Sequence, residues 1–173
     1  MSLNPVYIIN TSVFFPNEPV SNDEMEEFLG YIDNKPSKSK RIVLRNNGIK
    51  NRFYALKKGG KPTHSNAEMT ANAVKALFKN DINQIKNIEL LACGTSSPDQ
   101  MMPSHAVMVH GLLPETNAIE VVSPAAFAVQ ACTPSSMLIY PLKRAISTRQ
   151  LLLVRRECRF HLCRLFLRTR LKN

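Results

Sequence analysis

The chain has 173 residues, 44% hydrophobic and 21% charged, a globular composition that excludes a disordered or collagen-like chain. No apolar run approaches a membrane span, the start Met1-Ser2-Leu3-Asn4-Pro5 lacks a basic region followed by an apolar core, and the four cysteines have no framework spacing, so a cytoplasmic protein is expected. The net charge of +10 is unevenly spread: residues 126–173 hold ten Lys/Arg and one acid, leaving residues 1–125 at +1, so any argument from charge to nucleic acid concerns the tail alone.

Val6-Tyr7-Ile8-Ile9 is a short apolar run that Thr11 to Phe15 extends with β-branched and aromatic residues. This predicts a strand buried on both faces, ended by Pro16-Asn17-Glu18-Pro19. Ser21 followed by Glu24 is a capping box, in which each side chain satisfies an orphan amide at a helix start. The helix it opens carries Met25, Phe28 and Leu29 and stops at Gly30. Asn34 to Lys40 reads as a basic loop, Arg41 to Leu44 as a short extended or helical piece, and Asn46-Asn47-Gly48 as a turn tolerant of positive φ. Arg52-Phe53-Tyr54-Ala55 leads into a loop from Lys57 to Pro62. Ser65 with Glu68 forms a second capping box, and Met69, Ala73, Ala76 and Leu77 follow at helical period. Ile88 to Cys93 predicts a buried parallel strand, and Gly94-Thr95-Ser96-Ser97-Pro98 a loop at its C-terminal end. Pro103 opens a helix at its first turn, running toward Leu112-Leu113 and closing at Pro114. Ile119 to Val122 is a further buried strand. Strand, helix, helix, strand, helix, strand is α/β layering with a mostly parallel sheet.

The residues alone offer little chemistry. There is no GxGxxG, P-loop, HExxH or GxSxG pattern. The loop from Gly94 to Gln100 lies where open α/β sheets place ligands, yet it also reads as an ordinary strand-to-helix connection. Cys93, ending an apolar strand, is a small buried hydrophobe, and nothing near Cys132 lowers its pKa. His105 and His110, five apart, do not have single-face metal spacing. Cys158, His161 and Cys163 lack a fourth ligand and CxxC spacing. No metal or cofactor is expected.

Three stretches carry a resemblance: "IINTSVFFPNEPVSNDEMEEFLG", "NNGIKNRFYA" with its Gly-Ile-x-x-Arg, and "LLACGTSSPDQMMPSHAVMVHGLL". With "IEVVSPA" after them, residues 6–125 resemble the 3-oxoacyl-(acyl-carrier-protein) synthase III group, also called beta-ketoacyl synthase III, of the thiolase fold. The likeness is nearest to the aryl-polyene or resorcinol-type branch. The resemblance implies the N-terminal half of a thiolase-like fold with a mixed, mostly parallel sheet, and a homodimer. It also implies a decarboxylating condensation of an acyl thioester, on coenzyme A or acyl carrier protein, with malonyl-carrier protein. By the same resemblance, Arg45 and Arg52 fall near the segment that meets phosphopantetheine, where Arg suits phosphate recognition. Ser96 and Met102 align with acyl-pocket residues, in part across the family's dimer interface.

At the next position the family requires Cys-Ala-Gly on a turn opening a helix, whose N-terminus stabilises thiolate. This chain instead reads Ala125-Ala126-Phe127-Ala128-Val129-Gln130-Ala131-Cys132. Let each codon take the third base of one residue and the first two of the next. From Ala126 the permitted reading then includes G-V-C-C-A-G-M-H-A-L-K-Y-A-Y-L-S. Met137, whose codon ends in G, restricts the position over Leu138 to Ala or Val, and Ala fits. Gln150 to Glu157 permits A-V-A-T-G-S-E-G in the same frame, resembling the family's next strand and loop. The expectation is therefore a half-domain over residues 1–125, and an out-of-frame basic tail over 126–173. The nucleophile would fall over Val129, and the partner His and Asn would lie beyond the chain. No catalytic residue is assigned, and such a fragment is expected to lack condensing activity and to leave an apolar sheet edge uncovered. The alternative is a small basic adaptor whose tail binds nucleic acid or an anionic membrane. Its arginines share no clean stripe, so nucleic acid is not the expected partner.

Overall fold

The computed structural model describes residues 6–31, 33–95, 97–123, 151–155, 163–164 and 166–171. The elements in chain order are β1 (Val6–Asn10), β2 (Val13–Phe14), β3 (Pro19–Ser21), α1 (Met25–Leu29), α2 (Lys40–Asn47), β4 (Asn51–Phe53), α3 (Asn66–Leu77), a 3-10 helix (Ile82–Asn87), β5 (Leu90–Gly94), α4 (His105–Gly111), β6 (Glu120–Val122), β7 (Leu151–Arg155), β8 (Cys163–Arg164) and β9 (Phe166–Leu171). Two compact units form. One comprises Met1–Phe14, Asn66–Cys158 and Leu162–Asn173, and the other Phe15–Ser65 with Arg159–His161.

The first unit contains a five-stranded sheet in the order β1-β9-β7-β5-β6. β5 pairs in parallel with β6 and β7, whereas β9 is antiparallel to both β7 and β1. β1 therefore points the same way as β5, β6 and β7, and β9 alone runs against them. A mixed, mostly parallel sheet was the expectation, and this is its form. Every residue of β5 is buried, as an apolar strand in mid-sheet requires. The core joins the apolar stripe of α3, including Ala73, Val74 and Leu77, to Ile85 of the 3-10 helix, Leu91 of β5 and Val109 of α4. Spacings of three and four residues place that stripe on one side of α3. Full burial of a side chain such as Leu91 contributes about 1.5–3 kcal/mol.

The second unit is built on the antiparallel pair β3–β4, with Val20 opposite Arg52. Phe15 stacks on Phe53 at 4.3 Å between ring centroids, and Phe28 on Tyr54 at 6.0 Å, distances at which aromatic pairs add to plain burial. The Ser21–Glu24 capping box forms: Ser21 Oγ and N donate to Glu24 Oε2 at 2.7 and 3.2 Å, and Glu24 N donates to Ser21 Oγ at 3.4 Å. Gly48 ends α2 in the left-handed region, φ 66°, with its amide on Leu44 O.

Several boundaries differ from the sequence reading. The opening strand breaks at Thr11-Ser12, where Ser12 Oγ donates to Ala73 O at 2.7 Å, so β1 and β2 join different partners. Pro19 begins a strand instead of terminating a turn, as an edge position without an amide allows. Pro103 precedes the N-cap Ser104 of α4, and that helix stops at Gly111, with Leu112 and Leu113 in a tighter terminal turn. The stretch after Ala125, read above as a basic tail, contributes β7, β8 and β9.

Candidate functional site

The C-terminal ends of β5 and β6 carry a network of polar side chains. The loop leaving β5 turns back onto the start of α3. Asp99 Oδ1 accepts from Asn66 N at 2.7 Å and Oδ2 from Ala67 N at 2.8 Å, so one carboxylate satisfies two orphan amides and complements the helix dipole. The Asn66 side-chain amide donates to Thr95 Oγ1 at 3.0 Å and to Ser97 O. Ser97 N donates to Thr95 Oγ1 at 3.2 Å. Asn66 and Thr95 are buried, and Asn66 Oδ1 has no hydrogen-bond partner among the described residues. One turn further along α3, Thr70 Oγ1 lies 3.3 Å from Nε2 of the buried His105. The start of α4 is held in the same manner from β6, because Ala106 N donates to Ser123 Oγ at 2.7 Å.

This arrangement fixes loop positions and provides no activated nucleophile among the described residues. Cys93, next to last in β5, is fully buried, and burial pushes its thiol well above the ordinary cysteine range, so it stays protonated and packs as a small apolar group. His110 Nε2 lies 3.3 Å from Asn117 O at the far end of α4 from His105. No group of three metal-ligating side chains exists among the described residues, and no described helix is long and apolar enough to cross a membrane.

The described substrate-binding candidates fall in different units. Arg45 and Arg52 belong to the second unit and Met102 to the first. Arg45 stands exposed in the last turn of α2. Arg52 is only 4% exposed. Its Nη1 donates to Asn22 Oδ1, and its Nε has no hydrogen-bond partner among the described residues. Met102 is 82% exposed in the loop before α4. Ser96 lies outside the described residues, as do Val129, Cys132, Cys158 and His161. The second unit also has an open cleft of about 390 Å³ lined by Val20, Phe28 and Leu56 with Glu24, Lys57 and Lys58, and none of the three described residues Arg45, Arg52 and Met102 lines it. Sequence reasoning missed Asp99 and Asn66. Asp99 sits 33 positions from the amide of Asn66, so no local pattern marks the contact; the one available signal was an Asp in a loop at a strand's C-terminal end.

No protein-family model matches the chain, and no curated protein matches it. Solved structures match in fold. The tetronic acid condensing enzyme AbyA1 superposes at a TM-score of 0.72 with 18% identity, covering 87% of this chain and 43% of that one. A variant of OleA from Xanthomonas campestris, with bound lauric acid and lauroyl-CoA, gives 0.65 and 18%, covering 89% and 44%. A 3-oxoacyl-(acyl-carrier-protein) synthase III gives 0.69 and 14%, covering 97% and 50%. The chain thus has the thiolase-like fold of condensing enzymes and spans half or less of the length of these three.

Proposed function

We propose that this chain derives from the N-terminal half of a 3-oxoacyl-(acyl-carrier-protein) synthase III-like acyltransferase and does not itself condense. The observation that carries the reading is the fold likeness to AbyA1 over 87% of the chain, met by a sequence that departs from Cys-Ala-Gly after Ser123. In the parent, a thiolate at a helix N-terminus attacks an acyl thioester carbonyl and expels the coenzyme A or carrier thiol. The acyl-enzyme is then consumed by the carbanion that decarboxylation of malonyl-carrier protein releases. A His and an Asn stabilise the developing negative charge. Cys93 is no substitute nucleophile, being buried and protonated. The reading of residues 126–173 as a displaced frame accounts for the missing motif and the concentration of positive charge together.

Arg45, Arg52, Ser96 and Met102 are the residues assigned to acyl-thioester contact. A fold neighbour that carries lauroyl-CoA supports a ligand of that class. Arg45 is exposed and available to a phosphate, so Arg45→Ala is expected to weaken acyl-CoA binding without loss of stability. Arg52→Ala is expected to destabilise, because it leaves Asn22 Oδ1 without its donor.

The test is condensation of an acyl-CoA with malonyl-carrier protein. The 173-residue chain is expected to show neither turnover nor an acyl-enzyme mass. A gene re-read in the displaced frame from codon 126 is expected to take up one acyl group. Turnover by the present chain would overturn the proposal, as would an uninterrupted reading frame in the nucleotide sequence around codons 124–127. The second reading, a basic adaptor, rests on ten bases against one acid in the tail. It requires binding to RNA or anionic vesicles that falls steeply with salt.

A further inference from the structure

We propose that α2 and its flanks are a docking surface for an anionic lipid leaflet, distinct from the basic tail and sharing only Arg45 with the acyl-thioester reading. α2 has no buried residue. Ile42 and Val43, adjacent in its middle turn, are 60% and 58% exposed, and Ile49 just after it is 45% exposed. β-Branched apolar side chains gain nothing from that position in water, and their exposure on a two-turn helix calls for a cover. Along the sequence the charge is of one sign, and the one carboxylate paired with α2 among the described residues is Glu26, on Lys40. Residues 34–52 contain Lys35, Lys38, Lys40, Arg41, Arg45, Lys50 and Arg52 and no acid. Lys40 is taken by Glu26 at 3.0 Å and Arg52 is buried, while Lys35, Lys38, Arg41, Arg45 and Lys50 are exposed. Arg45 lies three positions after Ile42, one turn along the same side of the helix.

The chemistry that complements this surface is a plane of negative headgroups over an apolar layer. Five exposed cations meet phosphates while the apolar tips enter the acyl boundary, which is how short basic amphipathic helices lie on membranes. A leaflet answers a uniform charge spread along a convex helix. A folded acidic partner would need a concave feature, and the cleft of this unit is lined by residues of 17–28 and 56–58, not by α2. With three apolar side chains, the association is weak, reversible and dependent on charge.

Sedimentation of the full chain with vesicles is the test, comparing equal parts phosphatidylglycerol and phosphatidylcholine with phosphatidylcholine alone. The chain is expected to pellet with the anionic vesicles, to remain in solution with the neutral ones, and to be released by about 0.5 M salt, where the Debye length falls to a few ångströms. Two variants separate α2 from the tail: I42D/V43D removes the apolar tips, and K38E/R41E reverses two charges while leaving Arg45 intact. Each is expected to lower partitioning by about fivefold or more, with the circular dichroism spectrum unchanged, since none of these side chains is buried. Undiminished binding by both variants would assign the association to the tail and overturn the proposal. So would equal binding to neutral vesicles, or no vesicle binding at all. Binding of single-stranded RNA that I42D/V43D leaves intact, in a chain that ignores vesicles, would overturn it in favour of a nucleic-acid surface.

Discussion

Asp99 joins two elements through one carboxylate, with each oxygen on a different amide of the first turn of α3. Asp99→Ala frees both amides and releases the loop after β5, and should cost about 1–2 kcal/mol in urea unfolding, the range for losing a strong helix cap. Asp99→Asn keeps one acceptor and should recover part of the loss. Asn17 has a comparable role in the second unit. It holds a left-handed φ of 56°, which Asn tolerates better than most residues, and its amide donates to Tyr54 O at 2.7 Å and Thr63 Oγ1 at 2.9 Å. Cys93 gives a prediction of opposite character. Burial raises its folded pKa, so the unfolded thiol ionises first as pH rises, near its ordinary value of about 8.5. The stabilisation from keeping it neutral is therefore complete below that pH and declines above it. Native protein at pH 8 should leave Cys93 unlabelled by iodoacetamide, and the unfolding midpoint should fall between pH 8.5 and 10. Rapid native labelling would show that β5 opens far more readily than its burial implies.

Among the elements, α1 depends on its carboxylates and α3 on its packing. Glu24 is held below the ordinary carboxylate range, first by the Ser21 hydroxyl and then by the Ser21 amide. Glu26 is held below it, first by the Ser37 amide and then by Lys40. Depressed folded values mean that both contributions are complete above the unfolded carboxylate pKa, about 4.3. They are lost as pH falls through the folded values. A carbon-detected NMR titration should show Glu24 and Glu26 titrating below 4.3 and the α1 signals broadening with them. Val74→Ala removes two methyl groups from a fully buried position on α3 and should destabilise by about 1–3 kcal/mol, read from thermal or urea unfolding. These elements also show what can be read locally. The apolar spacing of α3 and the Ser21–Glu24 box act within one or two helical turns, so the amino-acid order displays them. The β3–β4 pair joins Pro19–Ser21 to Asn51–Phe53, and Phe53 stacks on Phe15, contacts between distant positions that no local period marks. Asp99 escaped notice for the same reason. Arg45 and Arg52 stand out only through the family resemblance, which carries no sign that Arg52 is buried and Arg45 exposed.

At the scale of the whole molecule, the sheet and the displaced-frame reading bear on each other. β7 lies between β5 and β9, with Leu153 opposite Ala92 on one side and Leu167 on the other. The run Leu151-Leu152-Leu153-Val154 is apolar and ends in a β-branched residue, and such a run forms a strand whatever its origin. Strands after Ala125 are therefore compatible with either frame. Their mechanical consequence can be tested on the protein. A proline in a central strand removes a ladder hydrogen bond and clashes with its neighbour, so Leu153→Pro should lower stability by about 3 kcal/mol or more and broaden the amide signals of both β5 and β9. Leu153→Val, which keeps a strand-forming side chain, should leave both nearly unchanged. If Leu153→Pro unfolds at the same urea concentration as the parent chain, β7 does not hold β5 to β9. The cooperative unit would then lie within the first 125 residues.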